Sequence, residues 1–212
     1  MRTCLALCVL LAAGCTPSDD KNSDSEPDEV DGFDDTAADT DTGDGDKDGS
    51  SQFVADADDG QSVVGLDPAR YLGVWYEIAS SPSPQQSACA GTTADYSLRD
   101  DGDIRVLNRC YLGSLDGSLN EIEGKASILD ETYARLLVDF DLGFEAPYYV
   151  VELDGQAGDE PYEFAVVSSA GFALWVLSRT PQMDPELYDL LVERAADRGY
   201  PADTLIMTEQ PE

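Results

Sequence analysis

Residues 71–79 read Tyr71-Leu72-Gly73-Val74-Trp75-Tyr76-Glu77-Ile78-Ala79. The run from Val74 to Ala79 is short, apolar and aromatic, which marks a strand rather than a helix. Working outward, the chain beyond Val63 repeats this pattern. Apolar-alternating runs fall at Thr92 to Leu98, Ile104 to Leu112, Glu121 to Leu129, Ala134 to Asp141, Tyr148 to Leu153, Glu163 to Ser168 and Leu174 to Arg179, with turn residues between them. Eight consecutive strands with mostly short connections predict an all-β domain, an antiparallel up-and-down β-barrel whose closure removes exposed edges. Eight strands also leave an interior wide enough for side chains and one small ligand. After Thr180-Pro181, the N-cap Asp184, Pro185 in the first turn and Gly199 past the end predict one C-terminal α-helix. Leu187, Leu190, Leu191 and Ala195 recur at helical spacing, so the helix is expected to pack on the outside of the barrel.

The same stretch carries a family resemblance. Gly73 and Trp75, one residue apart, resemble the core of the first conserved block of lipocalins. Ala94-Asp95-Tyr96-Ser97-Leu98 precedes a turn, Tyr148 to Asp154 stands where the second block belongs, and Leu174-Trp175-Val176-Leu177-Ser178-Arg179-Thr180-Pro181 resembles the third. Order and spacing agree over residues 66–210, and the resemblance is nearest to the bacterial outer-membrane lipoprotein lipocalins and apolipoprotein D. It implies a structural motif of Gly73, Trp75 and Arg179 at the closed end of the barrel, with the guanidinium stacked on the indole. With Trp75 and Arg179 taken as inward, strand alternation points Trp175 and Leu177 inward too. Matching the remaining strands to the family adds Ala94, Tyr96, Ile104, Val106, Leu136, Val138, Phe140, Tyr148, Val150, Ala165 and Val167. From these the expected ligand-binding residues are Tyr96, Val106, Val138, Phe140, Tyr148, Val150, Val167, Trp175 and Leu177. The implied function is binding of a small hydrophobic ligand or lipid in the calyx, for lipid storage, transport or membrane maintenance. The alternative is a non-catalytic cell-envelope interaction module with a filled barrel. Glu77, Asn108 and Glu152 share the inward parity, so either bulges turn them outward or they are paired inside.

Toward the amino terminus the chain changes character. Residues 1–14 contain Arg2 and an apolar run from Leu5 to Ala13, far short of a membrane-spanning helix, and read as a signal peptide. The run ends Leu11-Ala12-Ala13-Gly14-Cys15, which resembles the lipobox of bacterial lipoproteins and makes Cys15 the expected lipidation site. An ordinary signal peptide with an incidental cysteine is the competing reading. Thr16 follows the cysteine where an Asp would retain the protein at the inner membrane, so the familiar sorting rule points to the outer membrane. Asp19 and Asp20 leave surface export open. Residues 15–62 form an acidic tether: between 16 and 62 stand 17 acids against two lysines, with too few apolar groups to offset chain entropy. As a coil it would span roughly 38 Å. Asp44, Asp46, Asp48 and Gly49 match half of a calcium-loop pattern, but Ala55 stands where the closing Glu belongs, so a solvated spacer is the expected reading and no metal site is assigned. The folded domain is assigned to residues 63–212.

Composition narrows the chemistry. The net charge of −32 argues against nucleic acid or an anionic membrane surface as a bound target, and a high-salt habitat would equally favour it. The chain has no histidine, which removes the commonest general base, Ser-His and Cys-His pairs, and His-bound metals and haem. With Cys4 and Cys8 in the signal and Cys15 lipidated, Cys89 and Cys110 remain in an exported domain and are expected to form a disulfide. They flank the Asp101-Gly102 hairpin turn, although the simplest register does not place them directly opposite. Oxidised, they are poor nucleophiles. A Glu77–Glu152 carboxylate pair is the one acid–base arrangement left to consider. No catalytic residue and no cofactor is assigned. Arg105, Arg109 and Arg135 fall on the outward parity and Arg179 belongs to the closed end. With 27 acids against nine basic groups in residues 63–212, a neutral, zwitterionic or cationic amphiphile is expected over an anionic one. Its tail would lie against Val138, Phe140, Val150 and Trp175, with one hydrogen bond from Tyr148.

Overall fold

The structure is a computed structural model that describes residues 57–58, 62–84, 86–169 and 171–212. The signal segment, Cys15 and the half calcium-loop pattern lie outside the described residues.

Strands β1 (Ala57–Asp58) and β2 (Ser62–Val63) pair as a short hairpin, so paired backbone begins within the stretch read as tether. Helix α1 (Pro68–Tyr71) follows, its N-cap Asp67 accepting from the Ala69 amide and its first position taken by Pro68. The eight strands β3 (Gly73–Ser80), β4 (Cys89–Leu98), β5 (Ile104–Leu112), β6 (Ser118–Ile128), β7 (Arg135–Asp139), β8 (Glu145–Leu153), β9 (Phe164–Ser169) and β10 (Ala173–Ser178) each pair antiparallel with the next. Strand β10 also pairs with β3, which closes the barrel. Helix α2 (Pro185–Asp197) is capped by Asp184, whose carboxylate accepts from the Glu186 and Leu187 amides. A single 3-10 turn (Ala202–Thr204) and strand β11 (Ile206–Met207) end the chain.

Two apolar clusters share the barrel wall. Side chains of one parity fill the interior, including all the residues read as inward: Ala94, Tyr96, Ile104, Val106, Leu136, Val138, Phe140, Tyr148, Val150, Ala165, Val167, Trp175 and Leu177. The opposite parity of β3, β8, β9 and β10 supplies Ile78, Val151, Phe164, Val166, Leu174 and Val176, covered by Leu187, Tyr188, Leu191, Val192 and Ala195 of α2. The helical stripe thus differs from the expected one. Leu190 is half-buried but outside this cluster, and Tyr188 and Val192 take its place.

Three bulges interrupt the alternation. Ile78 is the extra residue on β3 against β10, since Ala79 faces Val176 while Glu77 faces Leu177. Val151 is extra on β8 against β9, and one extra residue lies between Ala90 and Thr93 of β4. At the β3 bulge the wall is completed by the end of the chain. Strand β11 pairs Ile206 with Ser80 and Met207 with Ala79, and the Thr208 amide donates to the Ile78 carbonyl. The Gly91 amide then donates to the Glu209 carbonyl, and Gln210 Nε2 donates to the carbonyls of both Glu77 and Thr92. Residues 206–210 therefore fill a wedge between β3 and β4, whose own pairing covers only Gly73 to Tyr76 of β3.

The Cys89–Cys110 disulfide is present, with Cα atoms 5.4 Å apart. Cys89 is the first residue of β4. It faces Leu112, two positions along β5 from Cys110, so the bond runs diagonally.

Candidate functional site

The barrel has a built floor. Arg179 lies over the Trp75 ring at 3.8 Å and donates to the carbonyls of Tyr162, Val74, Arg70 and Tyr71 at 2.8–3.1 Å. A planar fork with five fixed donors suits this convergence of carbonyls, and lysine would not. Trp75 Nε1 donates to the Tyr71 carbonyl at 2.8 Å, so the buried indole is satisfied. Gly73 sits at φ +98, a conformation side chains resist, and a Cβ there would stand 3.5 Å from Arg179 Nη1. The motif residues Gly73, Trp75 and Arg179 thus meet at one end, under α1.

Above the floor stand three phenols. The Tyr148 hydroxyl lies 2.7 Å from that of Tyr71 and 2.9 Å from that of Tyr96. Burial pushes the Tyr71 and Tyr148 phenols well above their ordinary range, so both stay protonated. Helix α1, missed in the sequence reading, places Tyr71 here. Asp67-Pro68 is the same cap signature that marked α2 and could have found it.

Beyond the phenols a narrow cavity of about 50 Å³, counted as room for the centre of a water molecule, opens toward the other end. Tyr96, Val106, Val138, Phe140, Tyr148, Val167, Trp175 and Leu177 line it, as do Ala94, Thr92, Thr93 and Pro147. Val150 does not; it is buried deeper in the interior cluster. Phe140 reaches the wall because Gly124 leaves space, a Cβ there falling 2.6 Å from the ring. The expected outward arginines do face away. Arg105 pairs with Glu123 at 2.6 Å, Arg109 with Glu121 at 3.4 Å, and Arg135 donates to Ser62 at 2.8 Å.

The three polar residues of inward parity have separate fates. The Val151 bulge turns Glu152 out of the barrel, where it is buried under α2 against Arg198 at 2.5 Å and Arg194 at 3.4 Å. Glu77 stays inside and lines the cavity. Its Oε1 accepts from Thr208 Oγ1 at 2.6 Å and its Oε2 from Gln86 Nε2 at 3.2 Å. Burial pushes its carboxyl above the ordinary value, against bonds from Thr208, Ser80 and Gln86 that pull the other way. Asn108 also lines the cavity, and its buried Oδ1 has no partner. Glu77 and Glu152 lie on opposite faces of the wall, so they do not form the acid–base pair considered above.

The mouth is defined by the connections β3–β4, β5–β6, β7–β8 and β9–β10. Exposed apolar side chains cluster on three of these: Leu112 and Leu119, Leu142 and Phe144, and Phe172, which is 72% exposed.

A closed eight-stranded barrel with an Arg–Trp floor and an apolar calyx defines a class of small-ligand carriers, and the comparisons name it. Residues 66–210 match the lipocalin-like domain family. The chain is 38% identical over 142 residues to the outer membrane lipoprotein Blc of Vibrio cholerae, covering 66% of this chain and 80% of that protein. It is 38% identical over 159 residues to temperature-induced lipocalin-1 of Arabidopsis thaliana, covering 70% and 81%, and 31% identical over 157 residues to apolipoprotein D of Bos taurus, covering 68% and 77%. Among solved structures, insecticyanin from Manduca sexta superposes with a TM-score of 0.55 at 17% identity, over 74% of this chain and 88% of that one, a likeness of fold. The chain belongs to the lipocalin family.

Proposed function

We propose that this protein is a lipid-anchored lipocalin of the cell envelope that holds a small hydrophobic ligand or lipid in its calyx, without catalysis. The observation that carries the reading is the interior cavity. It is walled mainly by apolar side chains, floored by phenols that can hydrogen-bond, and open toward one end of a rigid barrel. The anchor rests on the lipobox at Cys15 and on relatives named as outer membrane lipoproteins, which favour the outer membrane. Native mass spectrometry of the purified protein incubated with extracted lipids tests the ligand reading: one bound lipid per chain is expected, and no adduct from any lipid class overturns it. Replacing Cys15 by Ser tests the anchor, since release from membranes or loss of processing is expected and unchanged membrane extraction refutes it.

One observation favours the interaction-module reading. A space of about 50 Å³ is well below the roughly 150 Å³ of a cavity that takes one benzene molecule. The mouth carries Leu119, Leu142, Phe144 and Phe172 exposed, as a docking surface would. That reading requires the same mass-spectrometric experiment to return an empty barrel.

A further inference from the structure

We propose that Glu77 and Asn108 form a headgroup subsite inside the calyx for a primary ammonium, so that the preferred ligand is a single-chain cationic amphiphile. The inference rests on the calyx-binding reading and adds to it the charge of the ligand and the atoms that recognise it.

Donors and acceptors do not balance on this side of the barrel. Among the described residues, Glu77 is the only carboxylate that lines the cavity, and no Lys or Arg does. The partners that Glu77 does have are neutral: the hydroxyl of Thr208, the side chain of Ser80 and the amide of Gln86. In the same cavity wall the Oδ1 of Asn108 and the Thr92 hydroxyl are buried without partners, and Oε1 of Gln86 and Oε1 of Gln210, outside the lining, are unpartnered as well. Gln86 and Gln210 spend their Nε2 groups on the Glu77 carboxylate and main chain, which fixes the orphaned oxygens beside it. An alkylammonium brings what is missing, three donors and a positive charge, on an apolar stem. Glu77 is already desolvated and held by Thr208 from the chain terminus and Gln86 from the β3–β4 connection, so the site is preorganised for a cation rather than assembled by it. A carboxylate headgroup meets the reverse: one buried acid, several unpaired acceptors and no cation. Trp175 Nε1, buried in the wall without a partner, is one donor that an ammonium leaves unmet.

The test is calorimetric titration of the full chain carrying Cys15→Ser, in detergent-free buffer at neutral pH, with n-decylammonium, n-decanol and n-decanoate. The expected order is amine, alcohol, carboxylate, with the amine about tenfold tighter than the alcohol. Glu77→Gln should abolish the preference for amine over alcohol. Since this substitution changes the domain's large negative charge by a single unit, the diffuse field is nearly unchanged and the loss reports a local contact. Asn108→Leu should reduce the preference in part and serves as a second probe should Glu77→Gln fold poorly. If the alcohol binds but the amine shows no advantage, or if the advantage survives Glu77→Gln, the subsite is overturned and the calyx reading stands. If none of the three binds, the calyx reading fails and the subsite with it.

Discussion

Two glutamates on this barrel are both buried, and they sit in opposite electrostatic settings. Glu152 lies under α2, where Arg198 Nη1 is 2.5 Å from its Oε1 and Arg194 Nε is 3.4 Å from its Oε2. Arg198 also donates to the Val151 carbonyl, so the bulge that turns Glu152 outward is held by the same guanidinium. Glu77 lies inside, with hydroxyl and amide partners and no cation. The first arrangement compensates the carboxylate with two cations and fixes a helix to a sheet, although Glu152 Oε2 and Arg198 Nη2 make no hydrogen bond. The second is incomplete, and an incomplete buried polar site either costs stability or receives a ligand.

Breaking the ion-paired site should have the largest effect. Arg198→Met leaves a buried carboxylate with only the more exposed Arg194, and a loss of about 3 kcal/mol is expected from urea unfolding. A loss under about 1 kcal/mol would show that Glu152 is solvated in solution. Replacing both partners, Glu152→Leu with Arg198→Leu, should recover most of that loss. Neither change should alter ligand affinity.

The disulfide joins residues 21 apart at the start of β4, on the Glu77 side of the barrel. Its reduction should lower stability by about 2–3 kcal/mol on the loop-entropy argument. Equal thermal melting with and without reductant would refute that contribution. Thr208→Val removes one donor to Glu77, and a loss of about 1 kcal/mol is expected by the same unfolding assay, with no loss if the terminal segment detaches in solution.

Glu77→Gln should change stability least at neutral pH, by within about 1 kcal/mol, because an isosteric amide lifts the burial penalty on a charge while losing charge-assisted bonds. Its signature lies in the pH dependence. The folded protein holds the Glu77 proton above the ordinary value of 4.5, so between that value and the raised native one the folded state carries more protons than the unfolded state. Stability from this group is therefore full below about pH 4.5 and is lost as pH rises through the native value. The stability difference between wild type and Glu77→Gln, followed by thermal melts from pH 4 upward, should move against wild type as pH rises. A flat difference refutes the shift.

The contrast between these glutamates also marks how far the sequence could be read. Alternation in eight short runs, turn residues between them and the capped helix were legible, because period two and helix caps are local signals. The floor was legible through Gly73, Trp75 and Arg179, and most of the cavity wall followed from parity. Bulges were one of the two readings for the inward-parity acids, and what escaped was where they fall. One inserted residue inverts every side chain beyond it, and nothing in Val150-Val151-Glu152 announces that Val151 is the insertion. Hence Glu77 and Glu152 shared a parity on paper and lie on opposite faces in the fold. Strand β11 escaped as well, since Ile206–Met207 is too short for alternation to register and its partners lie more than 120 residues away.

That last element bears on timing. The segment wedged between β3 and β4 belongs to the final residues of the chain, whereas β3 is the first barrel strand. A chain threaded across a membrane from its amino end would present β3 to the far side long before residues 206–210 arrive. Until then the backbone of Ile78 to Ser80 has one unpaired edge, and Glu77 lacks the Thr208 hydroxyl. In an exported chain the wall between β3 and β4 would close only once residues 206–210 have crossed, so truncation before Ile206 would leave the Ile78 to Ser80 edge unpaired.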